Sequence, residues 1–381
     1  MRSEGGPTYS VARAVAGRVL EHFAAHVQMA RAAGREGLAP IPDRAAIETL
    51  IDTAFWASLR REEGMSPRIS LAFISPDTAG LPLRFREPLP LHPAALAKLA
   101  PAVERASIHL GVWRVGNDLR VWGTTRRLPP FCFVIEVAGS GLLVIKQRSE
   151  SFGKFVNVAV LEGDQIKIVH EGEATSPDCP PVLRSLLGFD PFGPPGRPAS
   201  IMVELASSMR AHGRGGALLR VPAESIAWQE SVVTPLPYGL DPPYGELAEL
   251  LTDTGRDPDS AEWRDVLHHA VEGVAGLTAV DGATLISDRY QVLAFGVKIR
   301  PRRSSKPVDS VVVTEPIEGR AMWHETPARL GGTRHLSAAQ FVFDQHDAVA
   351  LVASQDGHFT IFRWSDAEGM VHAHRVEALL L

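Results

Sequence analysis

Gly331-Gly332-Thr333-Arg334-His335-Leu336-Ser337-Ala338-Ala339 leads into an apolar helix, and it sets the reading of the second half of the chain. Two glycines free the loop, and backbone N–H groups at the start of a helix form an anion site. Thr333, Arg334 and His335 add a hydroxyl, a guanidinium and an imidazole at the same place. That set of donors suits a polyphosphate. Alone, the segment reads equally well as a capped helix with an incidental basic pair.

Two further segments flank it. Upstream, Asp281-Gly282-Ala283 follows the apolar stretch 277–280 and continues into Thr284-Leu285-Ile286. A carboxylate before two small residues lets another backbone approach closely, although Asp-Gly is also a common turn. Downstream, Ser354-Gln355-Asp356-Gly357 ends the apolar strand 348–353 and by itself is a hairpin turn. Around these segments the pattern alternates. Helices are expected at 201–211, 244–252, 261–270 and 337–345, and strands at 216–221, 278–287, 290–298, 348–354 and 358–364. Such alternation implies an α/β sandwich with a central sheet.

The first half has a different texture. Val11, Val15, Val19, Phe23 and Val27 recur every four residues, as on one helix face. A second helix is expected at 43–62, capped by Asp43, with Ile47, Leu50, Ile51, Ala54 and Phe55 as its apolar stripe. Short strands follow at 68–75, 108–115, 118–123, 131–138, 141–147 and 155–169, interrupted by a helix at 92–105. Residues 188–200 carry four prolines and three glycines, which suits a linker and neither helix interior nor central strand. The expected division is therefore 1–187, a linker at 188–200, a second domain at 201–365 and a tail at 366–381.

At 381 residues, two domains are the natural expectation. A net charge of −5 disfavours a broad duplex-DNA or anionic-membrane surface, while a small nucleotide pocket needs only a few arginines. Cys132 and Cys179 stand in no metal-ligand spacing, consistent with a reduced, cytoplasmic protein. No apolar run approaches the ~18–20 residues that span a bilayer, and no hydrophobic leader core follows the polar start.

Together, the three segments resemble the diadenylate cyclase (DAC) domain family in order and spacing over about 170 residues. Gly215-Gly216-Ala217-Leu218-Leu219-Arg220-Val221 stands where that family has a Gly-Ala-Leu-Ile-Val strand. Asp281-Gly282-Ala283 matches in full, and Gly332-Thr333-Arg334-His335 matches four of five positions of Gly-Thr-Arg-His-Arg. Ser354 falls near the family's Ser-Glu-Glu turn. Two departures are present: Leu336 occupies the position of the second arginine, and Gln355-Asp356 that of the glutamate pair. The N-terminal module resembles the sensor domains found beside some DAC domains.

The resemblance implies an α/β DAC-type domain, with a central mixed sheet flanked by helices, behind an α+β regulatory domain. It also implies that two ATP molecules condense into cyclic di-AMP, with Mg²⁺ or Mn²⁺ as cofactor and a homodimer of DAC domains for catalysis. Asp281 would hold the metal or draw a proton from the ribose hydroxyl, and Thr333, Arg334 and His335 would hold the triphosphate. Gly282 and Ala283 would permit close approach, Ser337 and Ser354 could bond phosphate or base, and Leu218 could line the adenine slot. The alternative is a nucleotide-binding module that has lost turnover. His268 and His269 read as ordinary surface or core residues, His372 and His374 as solvent-exposed, Glu62-Glu63 as a charged turn, and Trp56, Trp113 and Trp122 as core.

Overall fold

The computed structural model describes residues 8–61, 64–105, 107–149, 155–172, 179–188, 198–253, 255, 257 and 260–381. Most of the expected linker, 189–197, and the pair Glu62-Glu63 lie outside the described residues. The chain divides into two compact units between Val169 and His170. That boundary precedes the expected one at 187, because the His170 N–H bonds to the Pro316 carbonyl and the helix Pro181–Leu186 packs against the helix Pro198–Ala211.

In the first unit, α1 (Ser10–Ala32) buries Val11, Val15, Val19, Phe23 and Val27, the four-residue stripe seen in the sequence. Helix α2 (Arg44–Ser58) starts where the Asp43 carboxylate accepts the Ala46 N–H at 2.8 Å. The strands are β1 (Ile69–Phe73), β2 (Leu83–Pro90), β3 (His109–Val115), β4 (Asp118–Thr125), β5 (Phe133–Gly139), β6 (Leu142–Arg148), β7 (Phe155–Glu162) and β8 (Gln165–Ile168). The short helix α3 (Pro93–Leu99) lies between β2 and β3. They form one sheet in the order β2-β4-β3-β1-β5-β6-β7-β8, in which only β1 and β3 run parallel. The two long helices share one core with this sheet, including Phe23, Ile47, Leu50, Phe133 and Ile145. Trp122 is buried, its Nε1 donating to the Ile74 carbonyl at 2.8 Å.

The second unit contains α4 (Pro181–Leu186), α5 (Pro198–Ala211), β9 (Gly216–Val221), β10 (Tyr238–Tyr244), α6 (Glu246–Thr252), α7 (Ala261–Leu277), β11 (Ala283–Ser287) and β12 (Val292–Val297). It continues with β13 (Val311–Thr314), β14 (Trp323–Glu325), α8 (Pro327–Gly331), α9 (Thr333–Asp344), β15 (Val349–Ala353), β16 (Phe359–Ser365) and β17 (Met370–Arg375). The mixed sheet has the order β10-β12-β11-β9-β15-β16-β17-β13-β14. The α/β class and the helix-flanked mixed sheet agree with the sequence reading.

The segment after 365 is not a tail. Strand β17 pairs with β16 on one side and β13 on the other, and Val371, Ala373 and Val376 are buried. His372 and His374 are therefore buried too, against the expectation that they face solvent. The His374 Nδ1 lies 2.8 Å from the Thr314 hydroxyl, and burial pushes its imidazole down to about 3.

Candidate functional site

Strand register brings the three motif segments to one end of the second sheet. Ala283 pairs with Ala217 across the parallel strands β11 and β9, so both strands begin at this end. Strands β15 and β12 run the other way and finish here, as Ala353 faces Gly216 and Val297 faces Ala283. Helix α9 adds its N-terminus. Its first turn is Thr333-Arg334-His335, so the helix starts four residues before the expected Ser337. No side chain caps it, and Leu336 is the first N–H to bond back, at 3.2 Å to the Gly332 carbonyl. Free N–H groups at such an end favour an anion.

Asp281 is open to solvent, with its side chain 91% exposed. Its Oδ2 accepts from Lys298 Nζ at 2.7 Å. This hydrogen bond, then the Lys298 charge, holds the carboxyl below the usual carboxylate range, and the Arg334 charge adds to it. Lys298, just past the end of β12, was not singled out in the sequence. Nothing in its local residue pattern marks it, because it meets Asp281 only through sheet pairing.

Gly282 has a reason of its own. Its φ is +122°, and a Cβ there would lie 2.4 Å from the Gly296 carbonyl carbon. The glycine thus admits the neighbouring strand. Ala283 is buried at the start of β11.

Arg334 is partly buried and makes no hydrogen bond or ion pair among the described residues. One Nη would stand 3.0 Å from a Cβ placed on Gly215, so the bare backbone at that position leaves room for the guanidinium. In the adjacent hairpin the Ser354 hydroxyl accepts the His358 N–H at 3.1 Å, and Gln355 Nε2 reaches across to donate to the Arg214 carbonyl at 3.3 Å.

His335 turns inward. It is fully buried, with Nε2 3.2 Å from the Thr360 hydroxyl and its ring edge-on to Phe362. Burial pushes the imidazole down to about 4, so it is neutral at pH 7. A Cβ on Gly331 would sit 2.2 Å from this ring, which explains one glycine of the pair; Gly332, at φ +79°, makes the turn between α8 and α9. The structure gives His335 the place of a loop anchor, with Thr333 and Arg334 facing outward. Leu218 is also wholly buried, between Thr284 and Leu351, as a core strand residue. Ser337 is half-buried on α9.

The C-terminal segment adds a charged cluster that sequence reasoning missed. Thr360 pairs with Arg375, which brings the end of β17 beside the hairpin. Arg375 pairs with the Glu377 carboxylate, and His358 Nδ1 lies 3.3 Å from the same oxygen.

Leu336 is 39% exposed, so an arginine at this position would reach solvent. Leu336→Arg is expected to keep its fold, losing no more than about 1 kcal/mol from a cation near a helix N-terminus. ATP affinity should rise in calorimetric titration. A sharp fall in melting temperature would show that the side chain is enclosed after all.

A family described as "Probable sensor domain DACNV" matches residues 36–126, which lie inside the first unit, from the loop before α2 to the residue after β4. No curated protein matches the chain. Among the described residues, no helix is long and apolar enough to cross a membrane.

Proposed function

We propose that the second unit is a diadenylate cyclase module, in which two ATP molecules condense into cyclic di-AMP and two pyrophosphates under control of the first unit. The observation that carries this reading is the meeting of Asp281, Arg334 and the uncapped start of α9 at one sheet end. The sensor-type match in the first unit supports it, because such domains are often joined to DAC domains. The protein would act in the cytoplasm, making a second messenger.

Each 3′-oxygen attacks the α-phosphorus of the other ATP, and the bond to the β-phosphate oxygen breaks as pyrophosphate leaves. One module holds one ATP, so the product requires two modules face to face. Arg334 and the N–H groups of Thr333 and Arg334 would hold the triphosphate and stabilise charge on the α-phosphate and leaving group. Asp281 suits a divalent cation. Its Oδ1 has no partner among the described residues, it faces solvent, and hard ions take one or two carboxylates plus substrate phosphates. Mg²⁺ or Mn²⁺ bound there would acidify the 3′-hydroxyl and neutralise phosphate charge. A carboxyl held below its ordinary range is a poor proton acceptor, which favours the cation-holding role for Asp281 over that of general base.

A second reading, a nucleotide-binding module without turnover, is favoured by Leu336 at the place of an arginine and by the Lys298 bond to Asp281. The full chain, incubated with ATP and Mn²⁺ over a dilution series and assayed by chromatography, separates the two. Cyclic di-AMP whose specific yield falls on dilution supports the cyclase. Nucleotide binding without product supports the second reading, and no binding removes both. In the same protein, Arg334→Ala should weaken ATP binding by about 1.5–3 kcal/mol, the scale of a charged hydrogen bond. Equal affinity in calorimetry would remove Arg334 from the phosphate site.

A further inference from the structure

At the opposite end of the same sheet, Arg220 presents an unsatisfied charge. It lies near the end of β9, in register with Ile286 on one side and Val349 on the other. Its Nε is buried and has no hydrogen-bond partner. Its remaining contacts are weak: Nη2 reaches the Asp288 carbonyl at 3.4 Å, and the guanidinium carbon stands 6.0 Å from the centre of the Tyr290 ring. No carboxylate pairs with it among the described residues. The Asp288 carboxylate instead accepts the Ala223 N–H at 2.9 Å. Tyr290 cannot neutralise it either, since burial pushes that phenol up to about 12.

A cavity of about 90 Å³ opens beside this guanidinium, walled by Pro180, Pro181, Val182, Met202 and Val349 together with Tyr290. Leaving an arginine partly buried without a counter-charge is costly, and its planar fork matches a carboxylate with two parallel hydrogen bonds. The walls offer almost nothing else to a polar ligand. Their size and apolar character suit a short hydrocarbon body attached to the anionic head.

We infer that the cavity at Arg220 is a binding site for a small monocarboxylate with a short hydrocarbon tail. It is separate from the nucleotide site proposed above and does not depend on that reading. The two occupy opposite ends of strand β9, one at Gly215 and one at Arg220.

The full chain is titrated calorimetrically with butyrate, acetate and inorganic phosphate. Butyrate should bind one per chain and about tenfold more tightly than acetate, because two more CH₂ groups are buried. Arg220→Met should lose butyrate binding by at least about tenfold, and should fold as well as the parent because it removes an unpaired charge while keeping apolar bulk. Should that variant fail to fold, Val182→Phe, which fills the cavity and keeps Arg220, should lose butyrate in its place. The inference is overturned if the parent chain binds no butyrate, if either folded variant binds it equally, or if Arg220→Met abolishes a phosphate site as tight as that for butyrate.

Discussion

Asp281→Asn is expected to lower cyclic di-AMP formation by ~10²–10⁴-fold, the scale of removing a metal-holding or proton-handling carboxylate, and to leave the melting temperature unchanged. Both halves follow from the geometry. The side chain is 91% exposed, and its partner Lys298 is half-exposed, so the pair is a solvent-screened surface bridge that contributes little to folding. The amide keeps the size of the carboxylate and loses its charge. Cation binding should therefore fall with catalysis, and Mn²⁺ titration without nucleotide reads that loss separately from turnover. Full turnover in a correctly folded mutant would end the assignment of Asp281.

Gly282→Ala should have the opposite profile, with stability lost along with function. The added Cβ would lie 2.4 Å from the carbonyl carbon of Gly296 and 2.6 Å from its oxygen, on a backbone at φ +122°. Neither contact is the far end of a flexible side chain, so the ladder between β11 and β12 must part. Strain at an unfavourable φ together with overpacking should cost about 2–4 kcal/mol. Gly332→Ala makes the contrast. It has φ +79° but nothing within 4 Å of its Cβ, and should cost only about 1–2 kcal/mol. Urea unfolding of the two variants separates crowding from backbone strain. Equal midpoints would show that the Gly282–Gly296 approach is relaxed in solution.

Strong local patterning made α1, α2 and β9 readable in the sequence: in the two helices one apolar spacing coincides with one buried face, and β9 is a nearly continuous apolar run buried on both faces. Strands β2, β10 and β14 were missed because they lie at or near sheet edges and are largely exposed, so no apolar alternation marks them. Strand β17 was missed for another reason. Its histidines alternate with Val371 and Ala373 as exposed residues would, yet neighbours on both sides and both faces bury them. At the candidate site, residue types were legible and directions were not. Thr333-Arg334-His335 reads as three donors in a row, but a helical first turn points consecutive residues about 100° apart, and the third enters the core. Lys298 and Glu377 reach the site only through long-range pairing, which no local motif encodes.

The borders of the nine-stranded sheet constrain how two copies could associate. On one border, β10 contains Asp241-Pro242-Pro243, and its pairing with β12 is interrupted between Gly239 and Tyr244. On the other, β14 is only three residues long. Prolines and short strands leave few aligned N–H groups for an incoming chain, which protects an open sheet from fibril-like growth. A continuous sheet running through two protomers is thereby disfavoured at both borders. A pair of copies would then meet through side chains and loops, an association that two molecules can enter and leave without unzipping backbone.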